Sequence, residues 1–281
     1  MKAASAFLAA LAIGGALAHA EPAVVEAVQY PAWLERGGNA VPLTPGTALQ
    51  PQDRLRTGTD ARVQLRLGEG STVKLGENAR FVIERVEDRG IFRAALAVLD
   101  GAFRFTTDAL RKSQRREVSI RVKNVTAGIR GTDLWGKSTD ARDLVCLLEG
   151  QISVGSEGHP TVTLDTPLDF YQKPRDGAPQ VAKVDARQIE EWAQETEMTG
   201  AAARTGGTWR VQAASVAERD DARALIRALR AGGYPAVVVA APDGSFKVQV
   251  PGLGGEAEAR ALMAKIRDVK GVSLPEVLEG R

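Results

Sequence analysis

The chain is poor in the side chains that most often carry nucleophilic and metal chemistry, with one cysteine and two histidines in 281 residues. The lone Cys146 excludes an intramolecular disulfide. It lies in the run Leu144-Val145-Cys146-Leu147-Leu148, which reads as a buried strand where a thiol serves as a small apolar filler. His19 belongs to the N-terminal leader, which leaves His159 in the loop Gly155-Ser156-Glu157-Gly158-His159-Pro160. Any Ser-His-Asp or Cys-His arrangement would have to use it, and no nucleophile-elbow motif is present. No His-x-x-x-His or Cys-x-x-Cys pair offers the start of a metal site. Sequence leaves only a pair of carboxylates open for catalysis, as in glycoside hydrolysis. The expectation is a non-enzymatic chain with no cofactor. An excess of charge is missing too, since 37 Lys and Arg face 35 Asp and Glu for a net +2. That balance argues against nucleic acid as the main ligand.

Long apolar runs are absent after Ala20, so no transmembrane helix is expected in the rest of the chain. Before it, Lys2 supplies a positive start, an uncharged apolar stretch covers 6–18, and Ala18-His19-Ala20 gives a small-x-small site. This pattern predicts a cleaved export signal over 1–20, with the mature chain starting at Glu21. The stretch falls short of the ~20 residues that span a bilayer.

Residues 21–170 read as an all-β domain, a sandwich or a rolled sheet. Apolar residues fall at every second position in Arg62-Val63-Gln64-Leu65-Arg66-Leu67, in Ser71-Thr72-Val73-Lys74-Leu75 and in Arg80-Phe81-Val82-Ile83-Glu84. Gly68-Glu69-Gly70, Gly76-Glu77-Asn78 and Asp88-Arg89-Gly90 separate such runs as turns. Residues 171–207 read as a linker, polar and broken by Pro174, Gly177 and Pro179. Within it, Ile189, Trp192 and Ala193 share the face of a short helix that Asp185 caps. Residues 208–281 change pattern. Strands are expected at 208–216, 235–241, 245–250 and 272–278, with amphipathic helices at 218–231 and 257–269. The order β-α-β-β-α-β predicts a ferredoxin-like α+β domain, one antiparallel sheet with both helices on one side.

Two resemblances to known families follow from these segments. Trp209-Arg210-Val211-Gln212-Ala213-Ala214-Ser215-Val216, with the second copy Phe246-Lys247-Val248-Gln249-Val250, resembles the SPOR domain. Ala214 stands where that family usually has Gly, and Val216 where it has Phe. The resemblance implies a module that binds peptidoglycan glycan strands stripped of their stem peptides. Leu49 to Gly58, Gly128-Ile129-Arg130-Gly131-Thr132-Asp133 and Leu148-Glu149-Gly150-Gln151-Ile152-Ser153-Val154 resemble the FecR domain. This implies an all-β periplasmic module. The founding role of that family needs a transmembrane helix and a cytoplasmic segment, neither of which is expected here.

Alternation on the first C-terminal strand places Trp209, Val211 and Ala213 toward the helices, and Arg210 and Gln212 on the open face of the sheet. The same reading opens Lys247 and Gln249 on the neighbouring strand, with Ser215 at the strand's exit. Arg210, Gln212, Ser215, Lys247 and Gln249 are thus the expected glycan site. Their donors and acceptors suit a chain rich in hydroxyl and acetamide groups. At ~0.5–1.5 kcal/mol for each exposed hydrogen bond, one site is weak, and a repeating polymer compensates by offering many. The expected protein is a periplasmic one that binds peptidoglycan, as at division septa, with the β domain as scaffold or partner-binding module. The alternative is a regulatory protein whose β domain binds an envelope signalling partner while wall binding only anchors it. Elsewhere bland roles are expected. Residues 111–116 read as a solvated basic loop, Gly128 to Thr132 as a tight turn anchored by Arg130, and Trp192 as a residue docked on one of the domains.

Overall fold

The computed structural model describes residues 23–108, 115–198 and 202–280. The expected export signal, most of the basic loop and residues 199–201 of the tether lie outside them.

The N-terminal part is mostly β. Its strands are β1 (Ala23–Gln29), β2 (Ala32–Arg36), β3 (Asn39–Pro42), β4 (Arg54–Thr57), β5 (Arg62–Leu67), β6 (Thr72–Leu75) and β7 (Arg80–Asp88). They continue with β8 (Phe92–Thr106), β9 (Arg116–Val122), β10 (Val125–Ser138), β11 (Arg142–Ser156), β12 (Val162–Leu164), β13 (Asp169–Pro174) and β14 (Gln180–Lys183). After helix α1 (Ala186–Gln194), the two-residue β15 (Ala203–Arg204) completes a connected 15-stranded sheet. Alternation has its physical counterpart in β5, where Val63, Leu65 and Leu67 are buried while Arg62, Gln64 and Arg66 face outward.

Three long strands roll the sheet. β8 pairs with β7 and, in parallel, with β9 through its first half. Its second half pairs with β6 and β10 instead. This change of partners encloses Phe81, Phe92, Phe103 and Phe105, all fully buried. The register of β10 on β11 shifts between Arg130 and Asp133. There Gly150 has φ +87°, and a Cβ on it would fall 2.2 Å from the carbonyl oxygen of Gly131. Only glycine fits that crossing.

Residues 171–207 depart from the linker reading. β13 pairs with β11 and β14 with β13, so the polar stretch around Pro174 and Gly177 is a hairpin connection on the sheet. Polar, Pro- and Gly-containing sequence is common to hairpin loops and linkers, and the sequence pattern does not separate the two. Asp185 caps α1, its carboxylate accepting from the Arg187 amide at 2.8 Å. The helix then docks on the β domain. Trp192 stacks on Trp135 with ring centroids 4.7 Å apart and planes 10° from parallel, and Phe170 meets Trp192 edge-on. Beyond the helix, Lys137 pairs with Glu195 at 2.7 Å, while Lys74 and Arg104 reach Glu197 at 2.6 and 3.2 Å. β15 pairs with β1.

The C-terminal part is a small α+β unit: β16 (Trp209–Val216), α2 (Arg219–Ala231), β17 (Val237–Ala240), β18 (Phe246–Leu253), α3 (Glu256–Ile266) and β19 (Glu276–Glu279). Its four strands are antiparallel in the order β17-β18-β16-β19. Val211, Val248 and Val250 meet Leu225, Leu229, Leu262 and Ile266 in its core.

The helices also form the seam with the β domain. The Trp33 indole N–H donates to the Ala231 carbonyl at 3.1 Å, closing the end of α2, and the Arg56 guanidinium lies 4.1 Å from the centre of the Trp33 ring. Gly233, at φ +82°, comes so near that a Cβ would fall 2.7 Å from the indole. From α3, the Lys265 ammonium donates to the carbonyls of Tyr30 and Asp60 at 3.1 and 3.2 Å. Glu258, one helical turn before Leu262, is only 4% exposed. Burial raises its pKa to about 7, opposed by the charge of Lys265.

Two predictions follow from these contacts. Trp192→Ala should cost the β domain about 3 kcal/mol, read as a lowered melting transition. An unchanged melt would mean that α1 contributes nothing to holding the domain. For Glu258 the folded protein favours the neutral carboxyl, so its stabilising contribution is complete below the ordinary value of 4.5 and is lost as pH rises through about 7. Glu258→Gln should therefore melt above the native chain at pH 8 and with it near pH 4. Equal melting at both pH values would remove the buried carboxyl from any role in pH-dependent stability.

Candidate functional site

β16 and β18 lie side by side in the middle of the small sheet, with Gln212 opposite Gln249 and Ser215 opposite Lys247. Residues directly opposite in neighbouring strands share a face. The pairing of the outer strands then extends both rows. Val237 lies opposite Gln249 and Glu276 opposite Gln212, while Val239 lies opposite Lys247 and Leu278 opposite Arg210. The face away from the helices thus holds one row Val237–Gln249–Gln212–Glu276 and a second row Val239–Lys247–Ser215.

The sheet brings together all five residues singled out in the sequence, with two departures from the expected geometry. Strict alternation fails along β16 at Ala213, because the register shifts between Gln212 and Ala214, while the shift between Trp209 and Val211 adds its extra residue to β18. Ala213 and Ala214 are both buried, and Ala214 lies opposite Val248 on the core side rather than on the open face. A bulge of this kind adds one residue to one strand and breaks the period of two. The second departure is burial. Gln212 and Gln249 are 9% and 8% exposed, and the Gln249 amide donates to the Gln212 carbonyl oxygen at 3.4 Å. Both lie on the two central strands of the four-stranded sheet. Ser215 is exposed, and Arg210 and Lys247 are half-buried.

This arrangement is a paired amide centre with cationic and hydroxyl groups around it. The amide pair holds its own orientation, and at 3.4 Å its bond is long enough to be exchanged for a ligand's groups at little cost. Ser215 and Ser245 share a hydrogen bond at 3.1 Å, and Ser245 in turn donates to Asp243 at 2.7 Å. Sequence reasoning missed Ser245, Val237 and Glu276 as neighbours. The strand expected at 272–278 starts at Glu276 instead, and a four-residue edge strand leaves too short a pattern to fix its phase.

The remaining candidates take structural places. Cys146 is fully buried, and burial, aided by the Asp169 charge, pushes its thiol up to about 12. The His159 Nδ1–H donates to the Glu157 carbonyl at 2.9 Å, with the Ser156 hydroxyl 3.4 Å away. Arg130 is exposed and does not anchor the Gly128 to Thr132 block. Arg104 does so from β8, binding both oxygens of Asp133 at 3.0 and 2.7 Å, and the Thr132 hydroxyl donates to the Gln151 carbonyl at 2.8 Å. A planar guanidinium reaching from the adjacent strand satisfies the bend better than a side chain on the bend itself. No group of three or more His, Cys, Asp or Glu suited to a metal occurs among the described residues.

Comparison with known proteins gives two family matches. A model described as FecR protein matches residues 53–153, and a model described as SPOR domain matches residues 205–274. No curated protein sequence matches the chain. Among solved structures it is similar to a protein from Parabacteroides distasonis provisionally named an anti-sigma factor. One crystal structure is 16% identical with a TM-score of 0.42, over 50% of this chain and 64% of that one, so the chain spans just under two thirds of its length. A second is 13% identical with a TM-score of 0.42, over 81% of this chain and 98% of that one. No helix among the described residues is long and apolar enough to cross a membrane. FecR and SPOR domains are binding or regulatory modules, typical of envelope proteins, and the second implies peptidoglycan binding. The chain carries a FecR domain followed by a SPOR domain.

Proposed function

We propose that this is an exported periplasmic protein that binds peptidoglycan glycan strands stripped of stem peptides, as exposed at division septa. The ligand lies across the C-terminal sheet, which we read as ferredoxin-like. The observation that supports this most is the pairing of Gln212 with Gln249 and of Ser215 with Lys247 on one face of that sheet, inside the segment the SPOR model matches. Arg210 and Lys247 donate to sugar hydroxyls and acetamide carbonyls, Ser215 does either, and the amide pair offers one donor and one acceptor at the centre. A handful of contacts at ~0.5–1.5 kcal/mol each leaves a single site in the micromolar to millimolar range. Retention then comes from the many repeats of the strand. The FecR domain acts as scaffold or as the binding surface for an envelope partner, and neither domain performs catalysis.

The test is co-sedimentation of the mature chain with sacculi, before and after amidase treatment. The native chain should pellet more strongly on treated wall. Gln212→Ala combined with Ser215→Ala should lose at least about tenfold in retention, the loss of ~1.4 kcal/mol. Lys247→Ala, at a half-buried site away from the core, should lose less and melt as the native chain does. Equal retention on treated and untreated wall would sink the preference for bare glycan.

A further inference from the structure

Where β17 begins and β18 ends, a cleft of about 460 Å³ separates the two domains. Val41 and Pro42 of β3 form its wall on the FecR domain, and Val237 and Pro251 its wall on the SPOR domain. Arg204 and Arg230 also line it, and no acidic side chain does. Arg204 is exposed, while Arg230 spends its Nε on the Ala236 carbonyl at 3.0 Å and keeps its terminal nitrogens for other partners. Val41 is 48% exposed, so its side chain is open to a ligand in the cleft.

One residue joins this cleft to the sheet face. Val237 lines the cleft and lies directly opposite Gln249 in the row that carries the amide pair. A chain laid along that row therefore runs into the cleft at the edge of the sheet. The chemistry of a stripped glycan strand matches what it meets there. Hydrolysis of the amide that held each stem peptide leaves a carboxylate on the sugar, which suits two guanidinium groups with no competing acid. The C–H faces of the rings and the methyl groups of acetamide and lactyl substituents suit walls of valine and proline.

We propose that the domain-boundary cleft is a second subsite for the same glycan strand, with the FecR domain supplying one wall. This rests on the sheet-face reading above, and the two fail in different ways. The FecR domain then has a direct part in holding the wall, and the site is complete only in the two-domain chain.

Retention on amidase-treated sacculi tests this in the full mature chain. Val41→Glu and Arg204→Ala change exposed side chains, so both variants should melt as the native chain does. Each should weaken retention by about fivefold or more, near 1 kcal/mol. A peptide-free disaccharide, short enough to occupy the sheet face alone, should bind the native chain and Val41→Glu equally. Longer strands of the same repeat should separate them. If both variants hold sacculi as the native chain does while Gln212→Ala with Ser215→Ala does not, the cleft subsite is wrong and the sheet face stands. If the native chain does not bind at all, both readings fall.

Discussion

The indole of Trp33 sits beneath the end of helix α2, with the Arg56 guanidinium on its ring and the bare backbone of Gly233 against its edge. Its N–H completes the helix by taking up the Ala231 carbonyl. The placement of the C-terminal sheet depends on this contact and on Lys265, which reaches two carbonyls of the β domain from α3. Because the helix ends form the seam, the sheet turns its other face outward, and the polar rows meet the β domain only at the cleft beside Val237. The same seam sets the gap between β3 and the start of β17. Closer docking would need a side chain at position 233 smaller than hydrogen, and looser docking would leave the Ala231 carbonyl unpaired.

A second attachment precedes the seam. The segment after the FecR match stays on the β domain: a hairpin extends the sheet, α1 lays Trp192 on Trp135, and Glu195 and Glu197 are held by Lys137, Lys74 and Arg104. Arg104 links this segment to the FecR motif, since it also clamps Asp133 beside the bend at Gly131 and Gly150. One guanidinium therefore ties a family motif in the sheet to the chain that leads to the next domain.

Much of this was legible in the sequence. Period-two runs located β5, β6 and β7, and the two C-terminal helices fall within a few residues of their expected bounds. Gln212, Gln249, Ser215 and Lys247 share one face, because opposite positions on two central strands must do so, and Arg210 lies two residues before Gln212 on the same strand. Three features were hidden for physical reasons. A bulge at Ala213 breaks the alternation that sequence reading relies on, and alanine is small enough to leave no trace on either face. Gln212 and Gln249 are nearly buried and bonded to each other, a pairing that only the strand register reveals. The hairpin at 169–183 uses the same proline, glycine and polar residues that a free linker uses, and its strands are recognisable only by the buried Tyr171 that joins Ser156. Arg130 and Arg104 illustrate the same limit, since the motif names the bend while the residue that fixes it arrives from a strand about thirty positions earlier.

The two-residue pairing of β15 with β1 has a mechanical consequence. Any tension on the C-terminal sheet reaches the larger domain by two routes at once, the covalent thread through β15 and the contacts around Trp33. Forces shared between parallel connections load each of them less than a single tether would be loaded. The weaker route consists of hydrogen bonds and ring contacts that can open and re-form, while the covalent route stays intact. The joint between the two domains would thus yield in steps, the contacts around Trp33 opening before the covalent thread carries the whole load.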